Sequence, residues 1–208
     1  MSEVGVSVVV PVFNGERFLG EALDSALAQT HRPLEVIVVD DGSSDGSAEV
    51  ARQRGAHVLS QTHLGVSAAR NAGIAAAGGE FIAFLDADDL WPPDRLAIQL
   101  DHLRRRPELG LVMAHAVLFF EPDEARPDWL TEDWLAGVVT AAFPGAPEPA
   151  PGVSGPVPHP MTMLPRAELF DRIGGFDTSY RLDECETARF RVLRSSLARK
   201  HAERSGTR

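Results

Sequence analysis

FIAFLDADDLWPPDRL, residues 81–96, decides how this chain folds. Phe81 to Leu85 is an apolar run that reads as a buried strand. It empties directly into three carboxylates, Asp86, Asp88 and Asp89. Pro92 and Pro93 then stop the extended chain, and Pro93 to Arg106 reads as a helix with proline in its first turn, stopped by Pro107. Carboxylates one residue apart at a strand end can share one hard divalent cation, which takes oxygen ligands and leaves room for phosphates. The same residues also suit a solvated turn that caps the next helix.

The strand, polar turn, helix unit recurs on both sides. Val6 to Val12 is nearly all valine, and helical spacing of Phe18, Leu19, Ala22, Leu23, Ala26 and Leu27 follows within Gly15 to Gln29. Leu34 to Val39 is a second strand, with Ser44 or Asp45 placed to cap a helix ending near Gly55. His57 to Ser60 is a short strand. Val66 to Ala77 is an alanine-rich helix closed by Gly78 and Gly79. Leu111 to Phe120 reads as another strand, Met161 to Leu164 as a further one, and Arg166 to Ile173 as a short helix. The alternation predicts an α/β fold: a mostly parallel sheet with helices on both faces, three layers in all.

Composition bounds the function. The chain has 208 residues, with 44% hydrophobic and 24% charged, ordinary values for a globular protein. A net charge of −10 argues against nucleic acid as the main partner. One cysteine fits a reducing compartment, and MSEVGVSVVVPVF leads into a strand without a basic leader, so the expected location is the cytoplasm. Nine of the 15 prolines fall between Glu121 and Pro160, which reads as an excursion. From Arg189 onward seven basic residues meet one acidic one, so the net charge of the first 188 residues is −16. That basic tail offers a peripheral contact with an acidic membrane surface.

In parallel sheets, ligands bind beyond the carboxyl ends of the strands. Three predicted strands end in polar loops that fall on that edge: PVFNGE from Pro11, DDGSSDGS from Asp40, and DADD from Asp86. A carboxylate at Asp40 or Asp41 can accept from a base N–H or from ribose hydroxyls. Arg70 sits among small residues in GVSAARNAGIAAAGGE, where it can meet a diphosphate or pair with Glu80 or another acid. Asn71 suits a bond to loop backbone. Trp91 reads as a packing residue, and the seven histidines lack metal-ligand spacing. Dinucleotide and phosphate-loop signatures are absent: PVFNGE stands where GxGxxG belongs, and no lysine precedes Lys200.

VSVVVPVFNGERFLGEALDSALAQT, LEVIVVDDGSSDGS, GVSAARNAGIAAAGGEFIAFLDADDLWPPDRL and LFDRIGGFD together resemble a family 2 glycosyltransferase of the GT-A fold, over roughly Val6 to Tyr180. The resemblance implies one GT-A-like domain over residues 1–180. Residues 1–120 would bind the nucleotide-sugar, 121–160 form the excursion and 161–180 face the acceptor, with residues 181–208 as a tail. It implies inverting transfer of a sugar, often UDP-linked, to an acceptor hydroxyl on a glycan, lipid or small molecule. Pro11, Val12, Phe13, Asn14 and Glu16 would line the nucleotide pocket with Asp40, Asp41, Arg70, Asp86 and Ala87. Asp86 and Asp88 would hold Mg²⁺ or Mn²⁺, with Asp88 the more direct ligand.

One departure stands out. After GGFD the family usually shows a Glu-Asp pair and then a Trp, the Asp acting as general base. Here the text is RLDECETARF: Glu184 fits, but Cys185 stands where the Asp is expected. Asp183 and Glu184 are the remaining candidates for that base. The sequence also ends sooner than such relatives do, and the basic tail is compatible with a shifted or truncated end. A chain that binds nucleotide-sugar and metal without transferring is the alternative reading.

Overall fold

The computed structural model describes residues 4–114, 117–118, 160–179 and 190–191. Its centre is a four-stranded sheet in the order β3-β2-β1-β4. The strands are β1 (Val6–Val12), β2 (Glu35–Asp40), β3 (His57–Ser60) and β4 (Phe81–Phe84), and every pairing among them is parallel. Four helices alternate with these strands: α1 (Glu16–Leu27), α2 (Ser47–Gln53), α3 (Val66–Ala76) and α4 (Arg95–Arg105). A fifth, α5 (Glu168–Ile173), comes later. The α/β reading of the sequence holds.

The two-residue period of the strands assigns the faces. Val6, Val8, Val10 and Val12 point to one side, where Leu19, Leu23 and Ala26 of α1, Ala51 of α2 and Leu96, Leu100 and Leu103 of α4 cover them. Val9, Ile82 and Phe84 point to the other, against Ile74 of α3 and Phe170 of α5, while Ile37 and Val39 meet Ala69 of α3. Each fully buried valine is worth on the order of 1.5–3 kcal/mol against exposure. A sheet apolar on both faces needs two helix layers, and it has them.

Strand order positions the site. The chain starts at β1, moves outward through β2 to β3, then returns on the opposite face through α3 to lay β4 on the other side of β1. The switch point between β1 and β4 opens a crevice at their carboxyl ends, the place where such sheets take ligands. Helix α3 lies very close to β1: a Cβ on Gly73 would overlap Val9 Cγ1. At the entry to β4, Ser7 Oγ accepts from Gly79 N at 2.9 Å and donates to Glu35 Oε1 at 2.6 Å, and Gly78 N donates to the same carboxylate. The glycine pair that ends α3 is thereby fastened to β1 and β2.

Some boundaries differ from expectation. The single strand expected from Leu111 to Phe120 is instead β5 (Leu111–Met113) and β6 (Val117–Leu118). The reason is the partner: β5 pairs antiparallel with β7 (Met163–Pro165), which is preceded by a 3₁₀ turn, Pro160–Thr162. That ladder ends where the turn begins, with Ala114 N still donating to Thr162 O at 2.8 Å. Strand β6 pairs instead with β8 (Phe190–Arg191). Helix α4 starts two residues after Pro93, because Arg95 N already turns back to Pro92 O. Gly46, rather than Ser44 or Asp45, is the N-cap of α2.

Gly73→Ala tests the α3 contact. Overpacking of this kind costs about 1–3 kcal/mol, which lowers the melting temperature by about 2–4 °C per kcal/mol for a chain of this size. Thermal unfolding followed by circular dichroism reads it, and an unchanged midpoint would show that α3 is free to move off β1.

Candidate functional site

The loops leaving β1 and β2 are zipped together. Asn14 adopts φ 51°, a left-handed conformation that asparagine tolerates better than most residues. Its N–H donates to Ser43 Oγ at 2.9 Å, and its Oδ1 accepts from Ser44 N at 2.8 Å. Gly15 N donates to Ser47 Oγ at 2.9 Å and Glu16 N to Asp45 Oδ2 at 3.0 Å, while Gly46 N returns to Glu16 Oε2 at 2.9 Å. The side chains of Asn14 and Glu16 therefore build the rim. Burial raises the Asp45 carboxyl, but hydrogen bonds from the Ser47 hydroxyl and from the backbone of Glu16 and Ser47 outweigh it, holding the group below its ordinary 3.8.

The adjacent aspartates do different things. Asp40 Oδ1 accepts from Ser43 N at 2.8 Å, and its second oxygen has no protein partner among the described residues. Asp41 faces the loop between β3 and α3, accepting from Gln61 Nε2 at 2.6 Å, Leu64 N at 2.7 Å and Gly65 N at 2.8 Å. It is an internal anchor for that loop. Pro11 and Val12 are buried in β1, whereas Phe13 is 48% exposed beyond its end, with its ring 4.1 Å from that of His63.

The acidic loop after β4 lies against the first loop. A Cβ on Gly15 would come within 3.4 Å of Ala87 Cβ and 2.7 Å of Val12 Cγ2, so glycine there lets the two loops approach. Arg70 Nη2 donates to Asp86 Oδ1 at 2.7 Å; the two side chains are 7% and 22% exposed. This decides between the partners open to Arg70 in the sequence, because Glu80 is instead taken by Arg166 at 3.1 Å. Asp88 is exposed at the tip of the loop. Among the described residues no group of three His, Cys, Asp or Glu side chains converges as a self-sufficient metal site.

Asn71, next to Arg70, joins this rim to the GGFD segment. Its Nδ2 donates to Phe176 O at 2.9 Å and its Oδ1 accepts from Phe176 N at 2.7 Å. The Phe176 ring packs edge-on against Phe84 and beneath the Arg70 guanidinium. A side chain at Gly175 would collide with Asn71, which accounts for the second glycine of GGFD. Asp177 accepts from both the N–H and the hydroxyl of Ser179, and the hydroxyl bond chiefly lowers its carboxyl.

One feature escaped sequence reasoning. Arg95 is fully buried, 4.0 Å from the Trp91 ring, with Nε donating to Gln99 Oε1 at 3.1 Å. Burial pulls its guanidinium down to about 9, opposed by the negative charges of Asp89 and Asp86. Asp89 is itself only 1% exposed. The signal was present in the spacing: Arg95 and Gln99 fall on the same helical stripe as Leu96, Leu100 and Leu103. Trp91 is buried, as its reading as a packing residue implies. Asp183, Glu184 and Cys185 lie outside the described residues.

Residues 7–160 match the family model described as Glycosyl transferase family 2. The chain belongs to that family. This family 2 chain is 29% identical over 203 residues to an uncharacterised glycosyltransferase of Rickettsia typhi, covering 92% of this chain and 59% of that one. An uncharacterised glycosyltransferase of Nostoc sp. is 44% identical over 97 residues, 44% of this chain and 30% of its own length. The chain thus spans less than two thirds of the length of these curated relatives.

Among solved structures, S. aureus TarS (residues 1–349) superposes with a TM-score of 0.63 at 22% identity, covering 93% of this chain and 58% of that one. A Pyrobaculum calidifontis mannosyltransferase in complex with GDP-Man and Mn²⁺ gives 0.60 at 26% identity, covering 83% of this chain and 47% of that one. These neighbours give the family 2 chain a GT-A glycosyltransferase fold.

Asp45→Asn tests the zipper. A carboxyl lowered on folding stabilises above its ordinary pKa, and that stabilisation is lost as pH falls through the lower folded value. The stability gap between the wild type and Asp45→Asn should therefore be full near neutral pH and close as pH drops below 3.8. Denaturant titrations across that range measure it; a gap independent of pH would remove Asp45 from the zipper.

Proposed function

We propose that this protein transfers a sugar from a nucleoside-diphosphate-sugar, a UDP-sugar in the first instance, to an acceptor hydroxyl with inversion and with help from a divalent cation. One observation carries the reading: the rims after β1, β2 and β4 meet at the switch point of a parallel sheet in a family 2 chain. Solved structures of similar fold include TarS in complex with UDP and with UDP-GlcNAc, and the mannosyltransferase with GDP-Man and Mn²⁺. Residues 1–180 would form the catalytic domain.

The donor set suits Mg²⁺ or Mn²⁺. Both Asp86 and Asp88 offer hard oxygen ligands, and such ions are commonly held by one or two carboxylates plus substrate phosphates, with no third protein ligand needed. Once bound, the cation would neutralise charge on the leaving diphosphate. Arg70 steadies Asp86 from one side and brings a positive charge near the phosphates. Asp40 presents its unpartnered oxygen to the base or ribose, and Phe13 offers an exposed ring to the base. Asp183 or Glu184 would take the proton from the acceptor hydroxyl, a role that requires hydrogen-bond reach of it. The rest of the basic tail would touch an acidic membrane surface where the acceptor is a lipid. No helix among the described residues is long and apolar enough to cross a membrane.

Cys185, standing at the family's usual base, supports a second reading in which donor and metal bind without transfer.

Calorimetric titration with UDP and with GDP, each with and without Mn²⁺, tests the donor site. We expect UDP to bind more tightly with Mn²⁺, and Asp88→Ala to erase that gain while metal-free affinity stays the same. Unaltered Mn²⁺-dependent binding in Asp88→Ala would refute its role as a ligand. Donor hydrolysis and sugar transfer, measured over a panel of nucleotide-sugars, separate the two readings: binding without turnover selects the second.

A further inference from the structure

Beneath the acidic loop lies a buried polar ladder that none of the roles above uses. Arg95 is completely buried at the start of α4. Upward, its guanidinium packs on the Trp91 ring, and the charges of Asp89 and Asp86 act on it. Sideways, Nε donates to Gln99 Oε1, and Gln99 Nε2 donates to Thr162 O at 2.9 Å. Toward the far side, Arg95 Nη2 reaches Met163 O at 3.4 Å, while Nη1 is buried with no hydrogen-bond partner among the described residues. Two segments far apart in sequence thus rest on one cation: the loop 86–91 and the segment 160–165.

Asp89 N closes its turn on Asp86 O at 3.1 Å, and Trp91 N donates to Ser25 Oγ at 3.1 Å. Beyond Trp91 the chain is fixed firmly to the residues that follow α1, through Gln29 Nε2 to Pro92 O, Leu96 N to Gln29 Oε1 and Thr30 N to Pro93 O. Asp88, exposed at the tip of the loop, thus lies between β4 and the fixed end at Pro92. Under Trp91 lies the Arg95 guanidinium, 4.0 Å from the ring, and the charges of Asp89 and Asp86 act on the same group.

Taking a guanidinium fully out of water is costly unless charge and hydrogen bonds answer it. Leucine at position 95 would pack in the same apolar stripe without that cost. A retained buried cation has a use when it holds the loop packed on it to a second segment, and Arg95 does so through Trp91 on one side and the carbonyls of Thr162 and Met163 on the other.

We infer that Arg95 is a positioning residue: its buried guanidinium seats the Asp86–Trp91 loop and ties it to the Pro160–Pro165 segment, so that donor and acceptor sides move as one. The inference rests on the donor-site reading for its functional meaning, but the mechanical coupling stands apart from it.

Two measurements test it on the full chain. The first needs no ligand. Amide hydrogen exchange of Arg95→Met should show loss of protection at Asp89 and Trp91 together with Ala114, whose N–H holds Thr162 O, while Val9 and Ile37 in the sheet stay protected. Loss confined to one of the two segments, or uniform loss everywhere, overturns the coupling. If Arg95→Met fails to fold because Asp89 is left buried beside an apolar side chain, Asp89→Asn/Arg95→Met removes both charges and the same comparison is made there.

The second measurement is calorimetric affinity for UDP with Mn²⁺. Removing a group that orients a metal ligand typically weakens binding by about 10-fold or more. We expect that loss in the folded Arg95 variant, with partial recovery in Arg95→Lys. Wild-type affinity in a folded Arg95→Met or double variant overturns the positioning role. A wild-type protein that binds no UDP with Mn²⁺ would defeat the donor-site reading, and the exchange result would then decide the coupling alone.

Discussion

Helix α3 can lie on β1 because position 73 carries no side chain. Much of the candidate site depends on that contact. Val9 sits where a Cβ would be, so the helix axis comes close to the sheet. Arg70 and Asn71, one turn earlier, are thereby held at the level of the strand ends. Arg70 reaches Asp86, and Asn71 grips both backbone groups of Phe176. A helix standing further out would leave both side chains short of their partners. The small residues around Arg70 are the sequence trace of this closeness, and Phe176 completes it by packing on Phe84 under the guanidinium.

Concentrating carboxylates at one sheet edge raises an electrostatic problem, since like charges at short range repel and resist ionising together. The structure distributes them. Asp45 and Glu16 accept backbone N–H bonds across the zipped loops. Asp41 anchors the β3–α3 loop through three donors. Asp86 has Arg70, and the field of Asp89 falls on Arg95. The acidic sequence signal is therefore a mixture of loop-building groups and groups directed at the crevice, told apart by their three-dimensional partners.

The fold was largely legible because its signals are local and periodic. An unbroken valine run gives β1, and three strands that each end in a polar loop give the parallel edge. What stayed hidden depends on partners distant in sequence. Asp40 and Asp41 look equivalent as neighbours, yet one turns toward Ser43 and the other toward Leu64 and Gly65. Arg70 had two classes of partner open to it until Glu80 was seen to belong to Arg166, from the far end of the described chain. The strand expected beyond Leu111 broke early because its ladder depends on β7, about 50 residues later. Arg95 was legible as a position on the apolar stripe of α4, but a charge in that stripe has no meaning without its surroundings.

The order β3-β2-β1-β4 also governs how the sheet meets other molecules. An edge strand presents unpaired backbone groups on which a second chain can grow a ribbon. One edge here is β3, only four residues long and with exposed His57 and Ser60 at its ends, too short to template much. The other edge, β4, is covered at its entry: Phe81 bridges Arg166, and Ala167 N donates to Glu80 O at 2.8 Å. The long valine strand is kept in the interior of the sheet with a partner on each side. The arrangement that opens a crevice for a ligand therefore also shields this strand from edge-to-edge association.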